Sequence, residues 1–251
     1  DIIRHAKSER CFTSLNSNGW LTERALDRLE GCLDMLMVSL DGPDEVHDLV
    51  RKRKGSYERV LRSIDEARRR GISVATISVL GPWNLERVDD ILELSREHGF
   101  WAYFQPAYVD CFAGGEGLHP GIDPAALHRI ADHLSAASSS YPVGSSPAFF
   151  ERLRSAPKFG DCSRCAAGRY FGTVLPDGRV IPCHLRTEQG GFLNGLEVGF
   201  VEAFLRMPRP EGPGCAISPY QESDLIFGLD ARAVATAFRR AVASPRRFGT
   251  P

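Results

Sequence analysis

The chain has 251 residues, 43% hydrophobic and 25% charged, which fits a globular protein with one large domain or one domain and a small appendage. Its formal net charge of −1 gives no global field for nucleic acid or a membrane surface, and no apolar run approaches the ~20 residues a membrane span needs. Asp1 to Arg10 is mixed and charged, unlike an export signal, so the seven cysteines point to a reducing, cytoplasmic setting where thiols bind metal more often than they pair.

Short apolar runs alternate with amphipathic stretches through the first hundred or so residues. Strands are predicted at Phe12–Leu15, Met35–Leu40, Ile72–Leu80 and Trp101–Phe104. Between them, Leu21, Ala25, Leu26, Leu29 and Leu33 recur at helical spacing, as do Tyr57, Val60, Leu61, Ile64 and Ala67, then Leu85, Val88, Ile91, Leu92 and Ser95. Thr22 stands where an N-cap would stand, and Gly71 and Gly99 follow helices as stops. Single helices between strands imply parallel pairing, in about four β–α units of an incomplete barrel or open sheet. Beyond Phe104, Cys111–Pro124 reads as a loop, Pro124–Ser135 as a helix, Ser138–Pro147 as a connector and Phe149–Leu153 as a short helix. A hairpin is predicted from Gly172–Leu175 through Pro176-Asp177-Gly178 to Arg179–Ile181, with helices at Val198–Met207 and Ala231–Val242.

Val38-Ser39-Leu40-Asp41-Gly42, followed by His47-Asp48 and Arg51, takes an apolar strand into small and acidic residues. At the C-terminal end of a parallel strand such side chains face the mouth where α/β folds bind ligands. A hydroxyl and a carboxylate there suit a ribose or an amine, and an arginine suits a carboxylate. The plainer alternative is a solvated Asp-Gly turn. The other chemical signal is the cysteine set: Cys162 and Cys165 form CxxC, Cys183 follows 18 positions later, and Cys215 another 32. Four thiolates so spaced fit zinc or an iron–sulfur cluster, and ligand count does not separate the two.

Asn16-Ser17-Asn18-Gly19, Val38 to Gly42, His47-Asp48, Arg51-Lys52, Gly55-Ser56-Tyr57, Gly71-Ile72 with Asn84, and Phe104-Gln105-Pro106 together resemble radical S-adenosylmethionine (SAM) enzymes, over roughly residues 1 to 110. The resemblance implies an α/β fold, a partial (β/α)6 radical SAM barrel with its chemistry in the C-terminal mouth. It implies that Ser39 and Asp41 help hold the ribose and amino acid portion of SAM, that Ser17 is a further contact, and that Arg51 faces the methionyl carboxylate. Asn84 and Gln105 read first as turn and strand-end polar residues. The family's CxxxCxxC and Gly-Gly-Glu-Pro motifs are absent, and Cys11 and Cys32, 21 positions apart, do not replace them. The expectation is therefore an N-terminally truncated chain, with the first β–α units and the catalytic [4Fe–4S] cluster upstream of Asp1.

Cys165-Ala166-Ala167-Gly168, Pro176-Asp177-Gly178 and Pro182-Cys183 resemble the C-x(9–15)-G-x(4)-C pattern of SPASM/twitch extensions, with 12 residues between Cys165 and Gly178 and 4 between Gly178 and Cys183. That resemblance implies one auxiliary [4Fe–4S] cluster on Cys162, Cys165, Cys183 and Cys215. The expected division is a partial barrel at 1–115, a helical linker at 116–158, a small cysteine-rich hairpin/helix extension at 159–220 and a C-terminal helix and tail at 221–251. Function by resemblance is generation of a 5′-deoxyadenosyl radical to modify a peptide, protein or small metabolite, with an electron donor such as flavodoxin or ferredoxin as partner. The competing expectation is a non-catalytic iron–sulfur or zinc protein with a remnant SAM-like pocket.

Overall fold

The computed structural model describes residues 1–107, 119, 121–155, 165–187, 189–212 and 214–242. In chain order its elements are α1 (Ile2–Ser8), β1 (Ser14–Ser17), α2 (Thr22–Leu29), β2 (Met35–Ser39), α3 (Asp44–Val50), α4 (Ser56–Arg69), β3 (Ser73–Leu80), α5 (Val88–His98) and β4 (Trp101–Pro106). They continue with α6 (Pro124–Ala137), α7 (Pro147–Leu153), β5 (Thr173–Val174), β6 (Val180–Ile181), α8 (Gly195–Val198), α9 (Phe200–Leu205), α10 (Ser218–Phe227) and α11 (Ala231–Val242). The chain divides into two compact units, one of residues 1–105, 132–145 and 238–251, the other of 106–131 and 146–237. This differs from the division expected from sequence. A boundary at 220/221 would cut α10, whose side chains hold the cysteine segments, and the 116–158 stretch is shared between the units.

In the first unit β1 to β4 form one sheet in chain order, with β1–β2 and β2–β3 parallel. Helical crossovers account for this, because parallel neighbours need a long connection. Helix α4 buries Val60, Ile64 and Ala67, three or four positions apart, and α5 buries Val88, Ile91, Leu92 and Ser95 in the same way. Gly99, at φ 63°, closes α5 in the left-handed conformation that glycine adopts most readily. Burying a helix stripe of this kind contributes about 1.5–3 kcal/mol for each large aliphatic side chain. Met35, Met37 and Ile77 pack with Ala75, Trp101 and Tyr103 in a separate cluster. The Ser138–Pro147 connector has a structural role: Val143 bridges Ala102 in parallel, with Ala102 N donating to Pro142 O at 2.9 Å and Gly144 N to Ala102 O at 2.8 Å.

Among the described residues, the second unit has little regular strand. β5 and β6 pair antiparallel across the predicted turn, with Gly178 at φ 89°. A Cβ on Gly178 would stand 2.5 Å from Asn194 Oδ1, and its carbonyl accepts from Gly195 N at 2.9 Å, so that turn is packed from outside. Val180, Ala203 and Met207 form a small core with Phe192, Leu193 and Phe204 against it. The predicted Val198–Met207 helix is two short helices, α8 and α9, meeting at Gly199 with φ 88°.

Candidate functional site

At the C-terminal end of β2, Asp41 is fully buried and spends its carboxylate within the protein. Its Oδ1 accepts from Val79 N at 3.0 Å, and its Oδ2 takes Nε and Nη2 of Arg51, both at 2.6 Å. Breaking such a pair on one side costs about 3–5 kcal/mol, because a charge is left stranded. Asp41 N donates to Nδ1 of His47 at 3.2 Å, which puts the ring proton on Nε2, 3.2 Å from Ser56 Oγ. Burial, the largest influence, holds the His47 pKa below its ordinary value, so the ring sits neutral between these partners. Asp48 accepts from Gly55 N at 2.5 Å and Tyr57 N at 2.8 Å, occupying the exposed donors at the start of α4. The segment from Asp41 to Ser56 is therefore fixed by Asp41, His47 and Asp48, and Arg51 is held at the strand end with its side chain 30% exposed.

Ser39 and Ser17 stand on opposite faces of the sheet. Ser17 is the register partner of Val38, whereas Ser39 pairs with Ile77, and neighbouring strand residues alternate. The Ser17 hydroxyl instead bonds Thr22 Oγ1 at 2.7 Å and accepts from Gly19 N at 3.1 Å, so it builds the β1–α2 turn. Gly19 has φ 78°, and a Cβ there would lie 2.5 Å from Val60 Cγ2. Thr22 is the first helical residue and Leu21 the N-cap, a shift of one position from the expectation. Asn84 is a turn residue, donating to Asp41 O at 2.7 Å and Val79 O at 3.0 Å and accepting from Gly81 N at 2.8 Å. Asp41 and Arg51 are thus brought together beside Ser39, and Ser17 is not.

In the second unit, Cys165, Cys183 and Cys215 are thiols outside any disulfide and lie on three separate segments; Cys162 and Cys111 lie outside the described residues. One helix, α10, reaches all three segments. Gln221 Nε2 donates to Cys215 O at 2.6 Å, Asp224 Oδ1 accepts from Ala166 N at 2.5 Å, and the Tyr220 hydroxyl meets His184 Nδ1 at 2.5 Å. Asp224 also bonds the Cys165 thiol; burial is the leading influence on its carboxyl and raises its pKa. Tyr220 stacks on Phe171 with ring centroids 5.6 Å apart. Burial first, and then the charges of Cys183, Cys215 and Cys165, push its phenol upward, which places three thiols within electrostatic reach of one hydroxyl. Among the described residues no three His, Cys, Asp or Glu side chains are grouped closely enough to hold a single metal ion. The donor chemistry is soft thiolate, which suits iron–sulfur clusters and zinc.

Tyr220, Gln221 and Asp224 were not singled out in the sequence, nor was α10 itself. The available signal was Ser218-Pro219, since proline is favoured in the first helical turn and occupies it here.

Residues 1–95 match the Radical SAM superfamily. The AdoMet-dependent heme synthase of Methanosarcina barkeri is 25% identical over 261 residues, covering 94% of this chain and 74% of that protein. The pre-heme d1 synthase of Dinoroseobacter shibae is 26% identical over 141 residues, covering 54% and 35% respectively. Among solved structures, anSMEcpe with bound AdoMet and Kp18Cys peptide superposes with a TM-score of 0.58 at 18% identity, over 78% of this chain and 57% of that one. Streptococcus suis SuiB bound to S-adenosylmethionine gives 0.58 at 10% identity, over 81% and 49%. The chain therefore spans about half the length of these structures, and they establish a shared α/β fold. With the parallel sheet and the Asp41–Arg51 strand end in place, it is residues 1–95 that carry the likeness to the Radical SAM superfamily.

Proposed function

We propose that the intact protein is a radical SAM enzyme in which this chain supplies part of the SAM cradle and one auxiliary [4Fe–4S] site. Bound SAM, with a reduced catalytic cluster, supplies the 5′-deoxyadenosyl radical that abstracts hydrogen from substrate. The observation that carries the reading is the β2 end. Asp41 takes Nε and Nη2 of Arg51 and leaves Nη1 for a ligand carboxylate, while Ser39 offers a hydroxyl two residues earlier. In this reading Arg51 and Ser39 touch SAM, Asp41 acts through Arg51, and Ser17 shapes the neighbouring turn.

The auxiliary site would use Cys165, Cys183 and Cys215 with Cys162. Its support is the SPASM/twitch-like spacing and the convergence of three cysteine segments on α10. The cluster would relay or accept an electron, or help hold substrate. Substrate is a peptide, a protein or a small metabolite. The two sequence relatives are named for tetrapyrrole synthesis, which makes a tetrapyrrole the first small molecule to assay, and the peptide-bound structural relative makes a peptide the next.

Calorimetric SAM titration tests the cradle. Arg51→Lys keeps the charge but loses the forked geometry and should weaken SAM about ten-fold, near 1.4 kcal/mol. Ser39→Ala should weaken it by a smaller factor. Wild-type affinity in both folded variants would remove Arg51 and Ser39 from the site.

A further inference from the structure

In the first unit, several arginines on or beside the helices are neutralised locally. Arg62 pairs with Glu23 and Glu58, Arg70 with Asp27, Glu30 and Glu66, Arg87 with Asp90 and Arg96 with Glu93. The run that follows Arg51 behaves differently. Lys52, Arg53 and Lys54 are exposed and, with Arg59, have no carboxylate partner among the described residues. Two of the nearby carboxylates are already engaged, Asp41 by Arg51 and Asp48 by the amides of Gly55 and Tyr57.

The fold holds this charge in a defined place. The Asp41–Arg51 pair fastens the start of the run to the C-terminal end of β2. Three residues beyond the end of β1, the ring of Trp20 lies 3.5 Å from the Arg53 guanidinium carbon and 4.0 Å from that of Arg59, and Arg59 Nη1 also donates to Trp20 O at 3.3 Å. Cation–π contact and the short tether order two of the four cations, which reduces the entropy a ligand must remove. Like charges this close repel one another, and a polyanion would relieve that repulsion. They sit at the strand-end rim, the edge where open α/β sheets take their ligands.

We infer that Lys52, Arg53, Lys54 and Arg59, ordered by Trp20, form a docking site for a substrate bearing two or more carboxylates. The inference deepens the enzyme reading, on which it rests only for the identity of the ligand as substrate. A solvated basic face is the alternative, and it predicts binding that follows overall charge and ignores position.

The test uses the full chain and benzene-1,2,4,5-tetracarboxylate as probe, followed by calorimetry at low salt without SAM. The triple variant Lys52→Gln, Arg53→Gln, Lys54→Gln should bind about ten-fold more weakly or worse, and added salt should abolish the difference. The control Arg10→Gln, Arg24→Gln, Arg28→Gln removes equal charge from exposed positions elsewhere in the unit and should bind as the wild type does. Trp20→Leu, which keeps every charge, should cost a smaller factor by releasing Arg53 and Arg59. Equal weakening in the control, or unchanged affinity in the triple variant, overturns the proposal. SAM affinity measured on the same triple variant keeps the two readings apart: it should be unaltered, and a failure of SAM binding in the wild type leaves the tetracarboxylate result standing.

Discussion

The two units organise polar chemistry by different means. In the first, a parallel sheet brings Ser39 and Asp41 to a strand end, and a buried ion pair then fixes Arg51 there. In the second, regular pairing among the described residues is limited to two strands of two residues each, and the cysteine segments are held by side chains of α10. A sheet sets positions through many backbone bonds and tolerates the loss of any one, whereas side-chain clamps carry position in a few bonds worth about 0.5–1.5 kcal/mol each. The strand-end site should therefore fail through charge burial, and the cysteine site through loss of ligands or clamps.

The largest effect expected is from Cys183→Ala, which should remove most auxiliary iron after anaerobic reconstitution while SAM affinity stays at the wild-type value. Coupled loss of both would show that the two sites are not separate. Next, Arg51→Met strands the buried Asp41 carboxylate and should lower unfolding free energy in urea by about 3 kcal/mol; a loss below about 1 kcal/mol would show that Asp41 is relieved by water or protonation. Gln221→Ala removes the bond to Cys215 O and should cost about 1 kcal/mol in stability and part of the iron, with all thiols still titratable. Full iron loading in that variant would mean that the cysteine segments hold themselves.

The smallest effect concerns pH. The folded pKa of His47 lies below its ordinary 6.5, so as pH falls the unfolded chain takes up the proton first. The stability this neutral ring supports is present above the ordinary value and is lost as pH drops toward the lowered one. Urea unfolding should show a decline below about pH 6.5, with His47→Gln flattening it by up to ~1.4 kcal/mol per pH unit of the window. An unchanged slope would show that His47 does not contribute to it.

Much of the first unit was legible because its signals are apolar and periodic. Met35–Leu40 differs from β2 by one residue, and Ile72–Leu80 from β3 by one. Gly99 marks the end of α5 as expected. Orientation was harder to read, since strand side chains alternate and a strand end displaced by one residue reverses the face. Phe12–Leu15 ended two residues short of β1, and Ser17 faces away from the side that carries Ser39. Asp41 and Arg51 were found, but their bond to each other is a tertiary fact that spacing does not reveal. Helix α10 was missed for a different reason: three of its four buried residues, Ser218, Gln221 and Glu222, are polar, so no apolar period marks it. The Thr22–Leu29 helix, by contrast, shows its buried Leu26 plainly.

Iron and sulfide content of the anaerobically reconstituted chain tests the central account most directly. With its cysteine segments gathered by α10, the chain should take up about four iron and four sulfide in a brown, reducible form. Colourless protein carrying zinc and excluding iron would contradict it.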